Sequence, residues 1–194
     1  SLKRVQKSGA RFDEKRLLWL NGAHIRNIPV DKLYEYVSPW DDNPQKDGGQ
    51  TGFWPESAYA PNITKEYRMK VLALAQDRMK MFEDLRGFGY FFAEPEINME
   101  LIDGNKQLKK LSDSERRELL ETARAELAKL AGWTPESIQN CLNKLLEITG
   151  QKPGILFSLI RIAVTWAPFS PQLNDTLALI GQEKTLRRLD GYIS

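Results

Sequence analysis

Four helix starts follow one another between residues 112 and 182, each with a matching stop, and they constrain the chain to packed helices. Ser112 and Glu115 form a capping-box pair ahead of RRELLETARAELAKLA, which ends near Gly132. Thr134-Pro135 opens ESIQNCLNKLLEIT, stopped by Gly150. Pro153 opens GILFSLIRIAVT. Ser170-Pro171 then opens QLNDTLALI, which ends at Gly181 before a last helix, QEKTLRRLD. Strand-like alternation is weak throughout, and no repeat of fixed period marks a solenoid. The expectation is an all-α protein.

The first half is less regular. FDEKRLLWLNGAHIRN has apolar positions at Leu17, Leu18, Leu20 and Ile25, and predicts a short amphipathic helix interrupted near Asn21-Gly22, with Trp19 in the core. Ile28-Pro29 opens VDKLYEYVS, which stops before Pro39. Residues 39 to 61 are rich in Pro, Gly, Asp and Asn. A structureless stretch of that length is unusual inside a compact domain, and an insertion is the favoured reading over a functional loop. From Asn62 the spacing predicts one long helix, NITKEYRMKVLALAQDRMKMFEDL, with Val71, Leu74, Ala75, Arg78, Phe82 and Leu85 on a single face. GFGYFF, residues 87 to 92, reads as an aromatic turn closing that helix into the core. AEPEINMELIDGNK reads as a linker, which puts a boundary near residue 95.

Composition excludes more than it selects. The 194 residues carry 28 Lys and Arg against 26 Asp and Glu, so any nucleic acid would have to be held by local patches. A single cysteine, Cys141, rules out an internal disulfide, fits a reducing compartment, and on an apolar helical stripe reads as core. With one histidine, His24, most nucleophile–base and zinc arrangements are excluded, and His24 itself reads as structural or surface. No G-x-x-x-x-G-K-[ST] or G-x-G-x-x-G occurs, and no run is apolar and long enough to span a membrane. Taken alone, the chain does not read as a self-sufficient enzyme.

One window stands out. Between Glu147 and Asp175 there is no acid, yet Lys152 and Arg161 remain, and Arg161 sits inside an apolar helical pattern. It either snorkels from a buried helix or stands at the lip of an acid-free cleft suited to unstacked bases. Trp166 and Phe169 follow in a loop, where they either stack on bases or lie under the next helix. Arg78 has only Leu74 and Phe82 at helical spacing, so its partner is an acid from elsewhere or a ligand. Lys3, Arg4, Lys7 and Arg11 form an acid-free run that is either solvated surface or a phosphate track.

RFDEKRLLWLNGAHIR (11 to 26) and TLALIGQEKTLRRL (176 to 189) resemble segments of bacterial-type glutamyl-tRNA synthetases, and the order of the intervening helices is similar. The resemblance covers essentially the whole chain. It implies an all-helical cage that binds the anticodon, built of two packed subdomains at 31 to 95 and 96 to 194, behind the tail of a stem-contact segment at 1 to 30. By position it implies that Arg78 reads the third anticodon base and favours glutamate tRNA over glutamine tRNA. It implies that Arg161 packs on the first base, and that Ser170, Pro171 and Leu173 cradle the first two. It implies that Arg16 meets the tRNA stem, and with it the expectation for the basic run is that Lys3, Arg4 and Lys7 follow the tRNA backbone. Asn174 departs from the family, some of whose members have an aromatic there that stacks on the second base, and Phe169 is the candidate replacement.

The ATP-binding signatures of such enzymes, of H-I-G-H and K-M-S-K-S type, do not occur in the chain. The resemblance therefore implies a catalytic domain lying upstream that uses ATP and Mg²⁺, and a fragment that holds no cofactor, binds tRNA and charges nothing. A cytoplasmic monomer is the corresponding expectation. The alternatives left by the residues are a helical protein-interaction module that no longer binds RNA and, less compatible with the missing motifs, a standalone enzyme.

Overall fold

Local capping signals place most of the helices. The structure, a computed structural model, describes residues 13 to 38 and 52 to 194. Helices α1 (Glu14–Asn27), α2 (Val30–Val37) and α3 (Lys65–Ala75) belong to the first half. Beyond them come α4 (Glu100–Asp103), α5 (Asp113–Ala128), α6 (Pro135–Thr149), α7 (Pro153–Thr165), α8 (Leu173–Ile180) and α9 (Gln182–Ile193). No strand occurs among the described residues, and none of their helices is long and apolar enough to cross a membrane.

In the second half most start and stop signals act as expected, but α5 ends at Ala128, ahead of Gly132, and α8 starts at Leu173 without a side-chain cap because the Ser170 hydroxyl is used elsewhere. Ser112 Oγ accepts the Glu115 N–H while a Glu115 carboxylate oxygen accepts the Ser112 N–H, which satisfies two free donors at the start of α5. Thr134 caps α6, Pro135 occupies its first turn, and Gly150 ends it at φ 64°, a left-handed position that favours glycine. The buried stripe of α6, Ile138, Cys141, Leu142 and Leu145, follows helical spacing and includes the lone cysteine. Helix α7 is buried on most of its surface, with α9 and α5 among its neighbours.

Three expectations for the first half are corrected. Helix α1 runs unbroken through Asn21-Gly22. Gly22 is there for closeness: a Cβ on it would stand 3.2 Å from the Met79 carbonyl oxygen, and the Asn21 amide donates to the Lys80 carbonyl at 2.5 Å. Trp19 is 64% exposed, not core, because α1 buries only Gly22 and Ile25. The long helix from Asn62 stops at Ala75. There Gln76 turns aside to donate its side-chain amide to the Ile25 and Ile28 carbonyls at 2.8 and 2.7 Å, closing the end of α1. A 3-10 turn (Gln76–Arg78) follows, and then Asp84 accepts the Lys80 and Met81 N–H groups to start the looser turns of Phe82–Phe91. Val71 and Ala75 therefore share a helix, and Phe82 and Leu85 do not belong to it.

The loop from 39 to 61 is also more than an insertion over its described part. Trp54 is 1% exposed, donates its indole N–H to Ser38 Oγ at 2.7 Å, and meets Phe92 edge to face. The GFGYFF turn is core as expected, with Phe88, Tyr90, Phe91 and Phe92 all buried. Arg188 of α9 binds this turn to the second half. Its buried guanidinium donates to the carbonyls of Tyr90 and Ala93 on one side and Val164 on the other, and pairs with Glu94 at 2.9 Å.

Candidate anticodon interface

Helix α7 carries Arg161 toward the start of α8, where the loop between them meets it and leaves it partly buried. Trp166 ends α7 in the left-handed region at φ 44°, an uncommon conformation for a bulky residue. The indole of Trp166 stacks on Tyr192 with ring centroids 5.7 Å apart, so it is spent within the fold. The chain then returns at Ser170, whose buried hydroxyl accepts the Arg161 Nε–H at 2.8 Å and donates to the Pro171 carbonyl at 2.9 Å. Ser170 thus fixes one edge of the guanidinium and leaves its Nη groups without an acceptor among the described residues.

Arg78 reaches the same region from the turn after α3. It is exposed, and it forms no hydrogen bond or ion pair among the described residues. Burial lowers the Arg161 pKa, and the Arg78 charge nearby lowers it further. Arg161, partly buried and with its Nη donors unused among the described residues, therefore stands near a second cation, a setting that suits a group that is anionic or rich in acceptors.

Several other arginines of the helical body are held within the fold, whereas the exposed Arg16 and Arg26, like Arg78, have no side-chain partner among the described residues. Arg68 bonds the Tyr34 hydroxyl and the Ala58 carbonyl. Arg116 pairs with Asp113, Arg124 with Asp190, and both Arg187 and Arg188 with Glu94.

Arg78 opens into a cavity of about 240 Å³ formed with Leu74, Asp77, Pro171, Gln172 and Asp175. A shallower groove of about 480 Å³ shares Ala73, Leu74 and Asp175 with it and continues over Trp133 and Pro135 past Lys70. The Trp133 indole is held by its N–H to the Leu177 carbonyl at 2.9 Å. Asp77 and Asp175 both line the Arg78 cavity, whereas Arg161, the residue for which an acid-free cleft is expected, is not part of its lining. In the sequence Asp175 closes the acid-free window while Asp77 lies far ahead of it, and Asp175 has the ordinary look of an acid in a helix first turn.

The structure brings Arg78, Arg161, Ser170 and Pro171 into one region, with Leu173 buried as the first residue of α8. Phe169 is 42% exposed and stands over Gly87, meeting Phe88 edge to face at 5.6 Å. Asn174 instead directs its amide at the Pro135 carbonyl, 3.4 Å away. Arg16 is exposed in the first turn of α1. Lys3, Arg4 and Lys7 lie outside the described residues.

A family model described as the anticodon binding domain matches residues 32 to 193. Glutamate–tRNA ligases of Roseiflexus castenholzii and Roseiflexus sp. are 32% and 33% identical, over 100% and 98% of this chain but only 36% and 35% of their own lengths. The chain thus spans about a third of these relatives. Among solved structures, the glutamate-tRNA synthetase of Elizabethkingia anophelis superposes with a TM-score of 0.63 at 20% identity, over 100% of this chain and 34% of that one. A glutamate tRNA ligase of Elizabethkingia meningosepticum gives 0.61 at 19%, over 100% and 34%. At these identities the superpositions speak for the fold, and the family match for the domain: the chain belongs to the anticodon-binding domain family.

Proposed function

We propose that this chain is the C-terminal anticodon-binding part of a glutamate–tRNA ligase and that it recognises glutamate tRNA through unstacked anticodon bases. Arg78 donates to the third base and Arg161 packs on the first, with Ser170, Pro171 and Leu173 shaping the wall beside them. Phosphate contacts position the RNA, and these side chains read it. Arg16 lies at the stem end of that path. Glutamate activation with ATP and Mg²⁺ belongs to the part of the ligase that this chain does not cover, so the chain alone binds and does not charge. The ligase works in the cytoplasm, and this part needs no second copy of itself to bind.

The observation that carries the reading is Arg161, partly buried and fixed at Nε by Ser170, standing near Arg78 with no acid bound to either among the described residues. The test is fluorescence anisotropy of the chain with two tRNAs that differ only in C or G at the third anticodon position, at two salt concentrations. The expected result is a preference for C that Arg78→Ala abolishes, at a cost of about 1–3 kcal/mol, together with binding that weakens as salt rises. Equal binding of both tRNAs would overturn the base assignment. Absence of binding at either salt would overturn RNA recognition and favour a protein-interaction module.

A further inference from the structure

Asp175 and Arg78 line one cavity from different elements without forming an ion pair. Asp175 projects from the first turn of α8 and is half-buried; Arg78 comes from the turn after α3. The Asp175 carboxylate makes no hydrogen bond or ion pair among the described residues. An acid beside a cation with which it does not pair, both facing a space of about 240 Å³, leaves an acceptor and a set of donors facing the same vacant volume.

That pairing has a chemical complement. Cytosine presents an amine donor at N4 beside the acceptors N3 and O2. Uracil presents an acceptor, O4, where cytosine has the amine, and a donor at N3. A guanidinium can donate to N3 and O2 of cytosine while a carboxylate accepts from N4; the same carboxylate repels O4 of uracil. We propose that Asp175 accepts a hydrogen bond from the exocyclic amine of the base that Arg78 reads, and so makes this pocket choose cytosine over uracil. The assignment rests on the anticodon reading given above.

Asp77 lines the same cavity but differs in setting. It is exposed on the 3-10 turn next to Arg78, whereas Asp175 is fixed by a helix and shielded on the protein side. Desolvation strengthens a hydrogen bond and raises the penalty for a mismatch, so the half-buried carboxylate is the better discriminator. Arg78 and Arg161 nearby offset the repulsion that a lone acid would exert on phosphate.

The test uses anticodon stem-loops carrying C, U or G at the third position, with anisotropy on the wild-type chain, Asp175→Asn, Asp175→Glu and Asp77→Asn, and thermal unfolding of each protein. The wild type is expected to favour C over U by roughly tenfold or more. Asp175→Asn should bring that ratio close to one, because a carboxamide can accept from N4 of cytosine or donate to O4 of uracil, while Asp175→Glu retains a preference for C. Asp77→Asn should leave the ratio as in the wild type. A wild-type ratio in a folded Asp175→Asn chain would overturn the role of Asp175 and leave the anticodon reading standing. No binding of any stem-loop by the wild type would overturn both.

Discussion

Ser170 Oγ stands 2.8 Å from Arg161 Nε and 2.9 Å from the Pro171 carbonyl oxygen, so one buried hydroxyl joins the cation of α7 to the wall of the Arg78 cavity. The side chain that the family resemblance places against a base is, within the protein, the one that orients the arginine.

Ser170→Ala should therefore reduce RNA binding through Arg161. The guanidinium keeps its charge but loses the acceptor that fixes its edge. The expected loss is about 1 kcal/mol, roughly fivefold in Kd. Anisotropy with wild-type and first-position abasic stem-loops checks it. The loss should shrink on the abasic loop, because the contact being oriented is then gone. Equal losses on both loops would mean that Ser170 acts only through local stability.

Trp54→Ala should destabilise the fold by about 3–5 kcal/mol, the cost of emptying a large aromatic site. Trp54 is 1% exposed and touches Tyr34 and Phe92 as well as Ser38. Trp54→Phe keeps most of that packing and loses the indole N–H bond, for a smaller cost of about 1 kcal/mol. Urea unfolding of the two variants measures the difference. A near-neutral Trp54→Ala would restore the reading of this segment as a tolerated insertion.

What was legible in the sequence divides along the range of the interactions. Ser112, Thr134, Pro135 and Gly150 act within four residues of where they stand, so their helices are visible in the chain itself. Gln76 acts on carbonyls 51 and 48 residues back, and nothing beside it in the sequence announces that. For that reason helical spacing continues in the sequence past the end of α3 at Ala75, and Asn21-Gly22 has the look of a break where Gly22 is a point of close approach. Arg161 was legible as a cation without a neighbouring acid. Asp175 was not legible as part of the cavity, because an acid in a helix first turn already has a local explanation.

Gly22→Val should both destabilise the protein and disturb Arg78. A Cβ at Gly22 comes within 3.2 Å of the Met79 carbonyl and 3.5 Å of the Lys80 Cα, and the Asn21–Lys80 bond holds that turn in place. The turn must then shift, and Arg78 leads directly into it. Overpacking of this kind costs about 1–3 kcal/mol. Thermal unfolding should show a lowered Tm, and the C-over-G preference should fall even at temperatures where the variant stays folded. An unchanged preference would show that the turn gives way without moving Arg78.

Glu94→Gln should remove a pH-dependent share of stability. Partial burial pushes the Glu94 carboxyl up, but hydrogen bonds from Arg188 and then Arg187 outweigh it and hold the group below the ordinary glutamate value of 4.5. A carboxylate with a depressed folded pKa contributes fully above its unfolded pKa and loses that contribution as pH falls through the folded value. The wild type should therefore exceed Glu94→Gln in stability by a constant margin from pH 7 down to about 4.5, with the margin narrowing below that. The Glu94 side chain is 53% exposed, so solvent screening keeps the margin below about 1 kcal/mol. Urea midpoints for both proteins at several pH values give the curve. A margin that stayed flat as pH fell toward 3 would mean that the bond to the buried Arg188, rather than the charge on Glu94, supplies the stability.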